Sequence, residues 1–74
     1  MNDRVFKVIS QVLNVPLNQI TEESSPDSIT GWDSLKHMNL VLALEEEFQV
    51  QFSEEQIVEM LNVALIIEAL KEVM

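Results

Sequence analysis

The chain contains no cysteine and only one histidine in 74 residues, which restricts how its fold can be stabilised. A domain of this size buries only about 60% of the surface that its unfolded chain exposes, so many small domains add disulfides or a structural metal. Disulfides and a cysteine–histidine zinc site are both excluded here. The fold must therefore depend on apolar packing, which is feasible because 47% of the residues are apolar. We predict one domain over residues 1–74.

The net charge of −9 comes from four basic and thirteen acidic side chains. It argues against binding to nucleic acid or to an anionic membrane surface, since both attract lysine and arginine. It favours a partner with a basic patch. Residues 1–14 lack the features of a signal peptide, and no stretch reaches the length of a membrane span. We therefore expect a cytoplasmic monomer that does not insert into membranes.

Apolar residues recur at helical spacing from Asp3 to Leu13, which predicts a first helix. Asn2 or Asp3 can cap its start, and Pro16 prevents it from continuing. Residues 15–32 are rich in turn formers and show no regular period, which predicts a long first loop. Four aliphatic side chains indicate that this loop is pinned onto the core: Val15, Leu17, Ile20 and Ile29.

Strong helix formers predict a second helix from Asp33 to Phe48. Its apolar residues cover more of the helix circumference than a single buried face requires. Leu40, Leu44 and Phe48 share one line, and we expect that line to face the core. A neighbouring line carries Ser34, Met38, Val41 and Leu42.

The sequence Ser53-Glu54-Glu55-Gln56 matches a capping box, which predicts the start of a short third helix. Its apolar residues follow as Ile57, Met60 and Leu61. Asn62 is the expected cap of a fourth helix that carries Val63, Ile66, Ile67, Leu70 and Val73 on one side. The prediction is an all-α fold, a small four-helix bundle with a long first loop and a short third helix.

The junction of the loop and the second helix, Gly31-Trp32-Asp33-Ser34-Leu35, is the strongest functional signal. Gly31 permits a sharp turn, and the Trp32 ring can fix the end of the loop on the body. Asp33 falls at the cap or in the first turn, where the helix dipole favours an acid. The Ser34 hydroxyl then lies at a helix N-terminus, which is suited to a phosphate-linked group. On spacing alone, a capping Asp–Ser pair ahead of an ordinary helix is the commoner arrangement.

The sequence resembles the acyl carrier protein family along nearly its whole length. The triplet Asp33-Ser34-Leu35 matches the attachment motif of that family. Residues 33–48 resemble its second helix, including the run Leu42-Ala43-Leu44-Glu45-Glu46-Glu47-Phe48. Residues 50–56 resemble its short turn into the third helix, and residues 16–20 with the polar stretch behind them resemble its long first loop.

This resemblance implies that Ser34 bears a covalent 4'-phosphopantetheine, with Asp33 and Leu35 completing the attachment motif. A phosphopantetheinyl transferase would attach the group from coenzyme A with magnesium. Acyl groups would then ride as thioesters on the thiol of the arm. The protein would perform no catalysis and would dock on acyl-loading, acyl-transferring or condensing enzymes of fatty-acid, polyketide or related biosynthesis. The alternatives are an aminoacyl or peptidyl carrier, in which glycine often stands at the position of Trp32, and a small helical adaptor without a prosthetic group.

The resemblance also implies which surface the partner enzymes recognise. Basic patches on partners contact the acidic face of the second helix, where Glu45 and Glu46 lie. Directly after the serine, however, this chain has Lys36 and His37 where many fatty-acid carriers have acids. This departure suggests a dedicated pathway with its own partners.

Met38 and Leu42 have two interpretations, core packing or an exposed apolar patch beside Ser34 that partner enzymes cover. His37 is interpreted as a solvated surface residue or a partner contact.

Two other functional interpretations, a hydrolytic triad and a metal site, fit the sequence poorly. Ser34, His37 and Asp33 could suggest a hydrolytic triad, but one continuous helix offers no separate group to orient the imidazole and no oxyanion hole. The acidic runs at residues 45–47 and 54–55 lack the spacing of a calcium loop, so we predict no metal site. A solvated acidic face is the favoured interpretation of these runs, and weak divalent-cation binding stays open.

Overall fold

A computed structural model describes residues 2–74, which contain four α-helices and no β-strand. The helices are α1 (Asn2–Leu13), α2 (Ser34–Phe48), α3 (Glu54–Glu59) and α4 (Val63–Val73), and a 3₁₀ turn covers Leu17–Gln19. The predicted all-α bundle with a long first loop and a short third helix is confirmed. Within residues 2–74, no helix combines the length and the apolarity needed to cross a membrane.

Three of the helices supply the deepest part of the core. The side chains of largest volume that are fully buried all lie on α1, α2 or α4: Ile9, Leu40, Leu44, Ile66, Leu70, Val5, Val41 and Val63. Burial of these apolar side chains is the main favourable contribution to folding. On α2 the predicted core line of Leu40, Leu44 and Phe48 is confirmed, and Val41 of the neighbouring line is buried as well. It is 1% exposed, because it widens the buried stripe by one position beside Leu40.

The first loop is ordered and packs onto the bundle. Ile20 and Ile29 are buried in the core, as predicted, and Val15 packs against it. Leu17 was expected to do the same, but it is 46% exposed. The tight turn that contains Leu17 directs Ile20, at its end, into the core instead.

The loop also supplies backbone partners for the start of α4. The Val63 and Ala64 N–H groups donate to the carbonyls of Ser24 and Glu22, both at 2.9 Å. Asn62 is the N-cap of α4, as predicted, and its side chain accepts from the Leu65 N–H. These bonds satisfy N–H groups that have no partner within the helix itself. The long loop is thereby fixed at its middle.

α3 begins at the predicted capping box. The Gln56 N–H donates to the Ser53 hydroxyl, and the Ser53 N–H donates back to the Gln56 side chain. No residue within α3 is fully buried, although Ile57 packs against the core. Met60 is buried just beyond its end, whereas Leu61 is 65% exposed. A tight turn, in which the Leu61 N–H donates to the Glu59 carbonyl, takes Leu61 out of the helix and toward solvent.

Candidate functional site: the start of α2 and the groove beside it

The junction of the first loop and α2 has the local geometry that its residues predict. Gly31 has a φ of +93°, in the region where L side chains are strained, so a residue without Cβ is required there. The Trp32 ring is 4% exposed and fixes the end of the loop on the body. Asp33 is the N-cap of α2, and its carboxylate accepts from the Lys36 N–H at 2.9 Å. The next residue, Ser34, is therefore the first residue of the helix.

The Ser34 side chain is exposed and borders an apolar groove. Within residues 2–74, no hydrogen bond occupies its hydroxyl. The groove has a volume of about 450 Å³ and lies between the loop, α2 and α3. Trp32 lines it from the loop side, Met38 from α2, and Ile57 and Leu61 from the side of α3. The hydroxyl is thus free, at a helix N-terminus and at the edge of an apolar cleft.

His37 joins the three elements that surround this groove. The Trp32 indole Nε1–H donates to His37 Nδ1 at 3.2 Å, and His37 Nε2 lies 3.2 Å from the carbonyl oxygen of Ile57. The two rings also stack, with centroids 6.2 Å apart and planes inclined by 24°. The prediction that His37 is a solvated surface residue is therefore wrong. Sequence reasoning missed it because no periodic signal places the α3 backbone against α2.

The same contacts do not form a hydrolytic triad of Ser34, His37 and Asp33. His37 Nδ1 already accepts from Trp32, and the Asp33 carboxylate accepts from the backbone of Lys36. Neither group has a hydrogen bond to Ser34, so none of the residues that the structure describes serves as its general base. Nucleophile and base would have to lie within hydrogen-bond distance for such chemistry.

Exposed apolar side chains surround Ser34 on both sides of the groove. On α2, Leu35, Met38 and Leu42 are 70%, 45% and 59% exposed. This observation favours the patch interpretation of Met38 and Leu42 over core packing. Across the groove, Val58 and Leu61 are 73% and 65% exposed, and sequence reasoning did not place either of them at this surface. Apolar side chains clustered in this way are typical of a surface that a partner covers.

The charged residues predicted for this surface differ in solvent exposure and in hydrogen bonding. Lys36 and Glu46 are exposed. Glu45 is half-buried, because its Oε2 accepts from the Phe52 N–H at 2.9 Å and ties the turn that leads to α3. No group of three acidic or histidine side chains within residues 2–74 is arranged to hold a metal ion.

Comparison with known proteins gives matches that span nearly the whole chain. Residues 3–70 match the protein family described as "Phosphopantetheine attachment site". The solution NMR structure of a holo acyl carrier protein from Geobacter metallireducens has a TM-score of 0.86 to this chain. The two sequences are 28% identical, and the match covers 96% of this chain and 82% of the other. Both matches include most of the bundle.

Proposed function

The chain belongs to the phosphopantetheine-attachment family, as an acyl-carrier-type protein with a covalent 4'-phosphopantetheine, and from this premise we propose that Ser34 is the attachment residue. The observation that carries the proposal is the exposed, unoccupied hydroxyl at the first position of α2, beside an apolar groove. A protein of this family is a carrier and not a catalyst.

The residues around Ser34 fit a phosphodiester-linked arm. The N-terminus of α2 places the positive end of the helix dipole next to the hydroxyl, which favours the negative charge of a phosphate. Asp33 holds the first turn through its bond to the Lys36 N–H, so that the orientation of Ser34 is fixed. Leu35 is 70% exposed and lies beside the attachment point, where an enzyme that modifies Ser34 would contact it.

The attachment reaction would use the Ser34 oxygen as its nucleophile. The oxygen attacks the phosphorus of coenzyme A that bears the pantetheine, and adenosine 3',5'-bisphosphate leaves as the phosphodiester forms. The hydroxyl proton would pass to a base of the phosphopantetheinyl transferase. Magnesium on the transferase balances the charge of the diphosphate. When bound, the group supplies a thiol that this cysteine-free chain lacks, and that thiol holds acyl cargo as a thioester.

We propose that partner enzymes dock on the exposed apolar patch of Met38 and Leu42 and on the acids that flank it. Glu46 is free to meet a basic patch, whereas Glu45 presents only part of its carboxylate. These partners are the transferase and acyl-loading, acyl-transferring or condensing enzymes of fatty-acid, polyketide or related biosynthesis. An aminoacyl or peptidyl cargo is disfavoured by Trp32, and the adaptor without a prosthetic group is inconsistent with the family. A cytoplasmic location stays a prediction.

The exposed Lys36 supports a dedicated pathway. A cation in the first exposed turn after Ser34 weakens attraction to a basic patch centred there. We expect fatty-acid elongation enzymes to process their own carrier faster than this one in a side-by-side assay. Equal rates on the two carriers would contradict a dedicated pathway and would leave the carrier function intact.

The test of Ser34 is the intact mass of the apo protein after incubation with a broad-specificity transferase, coenzyme A and Mg²⁺. We expect the gain of one phosphopantetheinyl group in the wild type and in the Ser53→Ala variant, and no gain in the Ser34→Ala variant. Ser53 is a matched control because it is also an exposed serine at the start of a helix. A modified Ser34→Ala variant, or an unmodified wild type, would contradict the proposal.

A further inference from the structure

The His37 ring has a protonation state that its two partners define. An indole N–H can only donate, so His37 Nδ1 must be an acceptor and carry no proton. A carbonyl oxygen can only accept, so His37 Nε2 must carry the proton and donate to Ile57. Both contacts therefore require the same state, the neutral ring with its proton on Nε2. The imidazolium form would turn an N–H toward the indole N–H and lose the Trp32 bond.

The contact between His37 and Ile57 matters because α3 has few other attachments. No residue within α3 is buried, and the helix is six residues long. Besides His37, a hydrogen bond from Gln56 Nε2 to Glu72 at 3.2 Å joins its exposed side to α4. Met60 anchors the chain just after the helix. Within α3, the half-buried Ile57 side chain packs against the core. The His37 ring adds a polar contact to the backbone of the same residue and so helps to hold α3 across the groove from Ser34.

We propose that His37 is a positioning residue for the carrier site: its neutral ring holds Trp32 and α3 in place around Ser34. Ser34 and Trp32 are two residues apart, so loss of the ring loosens the segment that sets the start of α2. The effect on Ser34 rests on the function proposed above, whereas the coupling between His37 and Trp32 does not.

The first test follows the single tryptophan of the full-length apo protein by NMR. At pH 8 we expect the imidazole ¹⁵N shifts to identify the Nε2–H form of His37. His37→Leu removes the acceptor of the indole N–H, so the Trp32 indole ¹⁵N–¹H resonance should move toward that of a tryptophan in water. His37→Gln also lacks the ring but keeps an acceptor and a donor, so its indole resonance should stay closer to that of the wild type. An Nδ1–H ring, or the same indole resonance in His37→Leu and His37→Gln, would overturn the proposal.

The second test connects the ring to Ser34 through transferase kinetics. At pH 8 we expect His37→Leu, which lacks both bonds, to lower kcat/KM for phosphopantetheine attachment roughly fivefold, because a displaced nucleophile reacts more slowly. His37→Gln should restore the value to within about twofold of the wild type. Equal rates for His37→Leu and wild type would overturn the positioning role at Ser34. If the wild type itself acquires no group, the proposed attachment fails, and the indole resonance in the two His37 variants still decides the coupling of His37 to Trp32.

Discussion

α3 and the three longer helices are held in different ways. Each of α1, α2 and α4 buries at least four residues in the core, while α3 buries none. α3 is instead fixed by polar contacts, namely its capping box, the Gln56–Glu72 bond and the His37 bond to Ile57, and by partial packing of Ile57 against the core. We refer to α1, α2 and α4 as the body and to α3 as the wall, because it closes one side of the groove.

The difference suggests how a chain this small can combine stability with a groove that opens. Buried apolar surface stabilises the whole fold, so the body can separate only when the protein unfolds. A segment with few buried contacts and several exposed hydrogen bonds can open alone, at a lower free energy. The wall is such a segment, and it lies next to Ser34. The comparison predicts that substitutions in the body change global stability and that substitutions at the wall and its rim change the site.

The largest expected effect is on the body. Leu44 is 0% exposed, so Leu44→Ala leaves a cavity and should lower the free energy of unfolding by about 2–5 kcal/mol. Leu61 is 65% exposed beside the wall, and Leu61→Ala should change it by less than about 0.5 kcal/mol. Urea denaturation followed by circular dichroism measures both values.

A third variant gives a measurable value at this buried position if Leu44→Ala is too unstable to measure. Leu44→Met approximately conserves the volume of the side chain and should cost less than about 1.5 kcal/mol. Equal losses for Leu44→Ala and Leu61→Ala would mean that the surroundings of α3 belong to the core, and the distinction between body and wall would fail.

The next effect is on the rim of the groove. Met38 is 45% exposed beside Ser34, so Met38→Glu should leave the melting temperature nearly unchanged. It should lower kcat/KM of the phosphopantetheinyl transferase about tenfold, which corresponds to ~1.4 kcal/mol, because a charge would be desolvated under the docked enzyme.

Leu17→Glu provides the matched control for Met38→Glu. Leu17 is 46% exposed but lies in the first loop, outside the lining of the groove. Its transferase kinetics should equal those of the wild type. A Met38→Glu variant that unfolds would restore the core-packing interpretation, and equal kinetic losses in both variants would show an effect of net charge alone.

Most of the fold could be predicted from the sequence because its signals are local. The Pro16 break, the Ser53–Gln56 capping box and the helical spacing of apolar residues each act within a few positions. The start of α2 was predictable for the same reason, since the Gly31 turn and the Asp33 cap are adjacent to Ser34. The exposure of Leu17 and Leu61 could not be predicted, because both lie in tight turns where no period indicates which side chain faces inward.

The arrangement around His37 depends on contacts that are distant in sequence. Its bond to the Ile57 carbonyl joins residues 20 positions apart, and a backbone carbonyl leaves no trace in the side-chain pattern. The exposure of Met38 and Leu42 was also hard to predict, because α2 carries more apolar residues than its buried stripe can accommodate. Only the packing of α1 and α4 determines which of its apolar lines is covered.

The smallest expected effect tests whether the wall opens alone. Ser53→Ala removes the N-cap of α3 and should cost the closed wall about 1 kcal/mol. Native-state hydrogen exchange of the α3 amides should then become roughly fivefold faster and show little dependence on urea, as expected for a local opening. The same type of substitution in the body is Asn62→Ala, which removes the N-cap of α4. It should leave exchange in α3 unchanged, because α4 is equally folded whether the wall is closed or open. If both variants accelerated exchange in α3 equally, α3 would open only by global unfolding, and the body and the wall would be one cooperative unit.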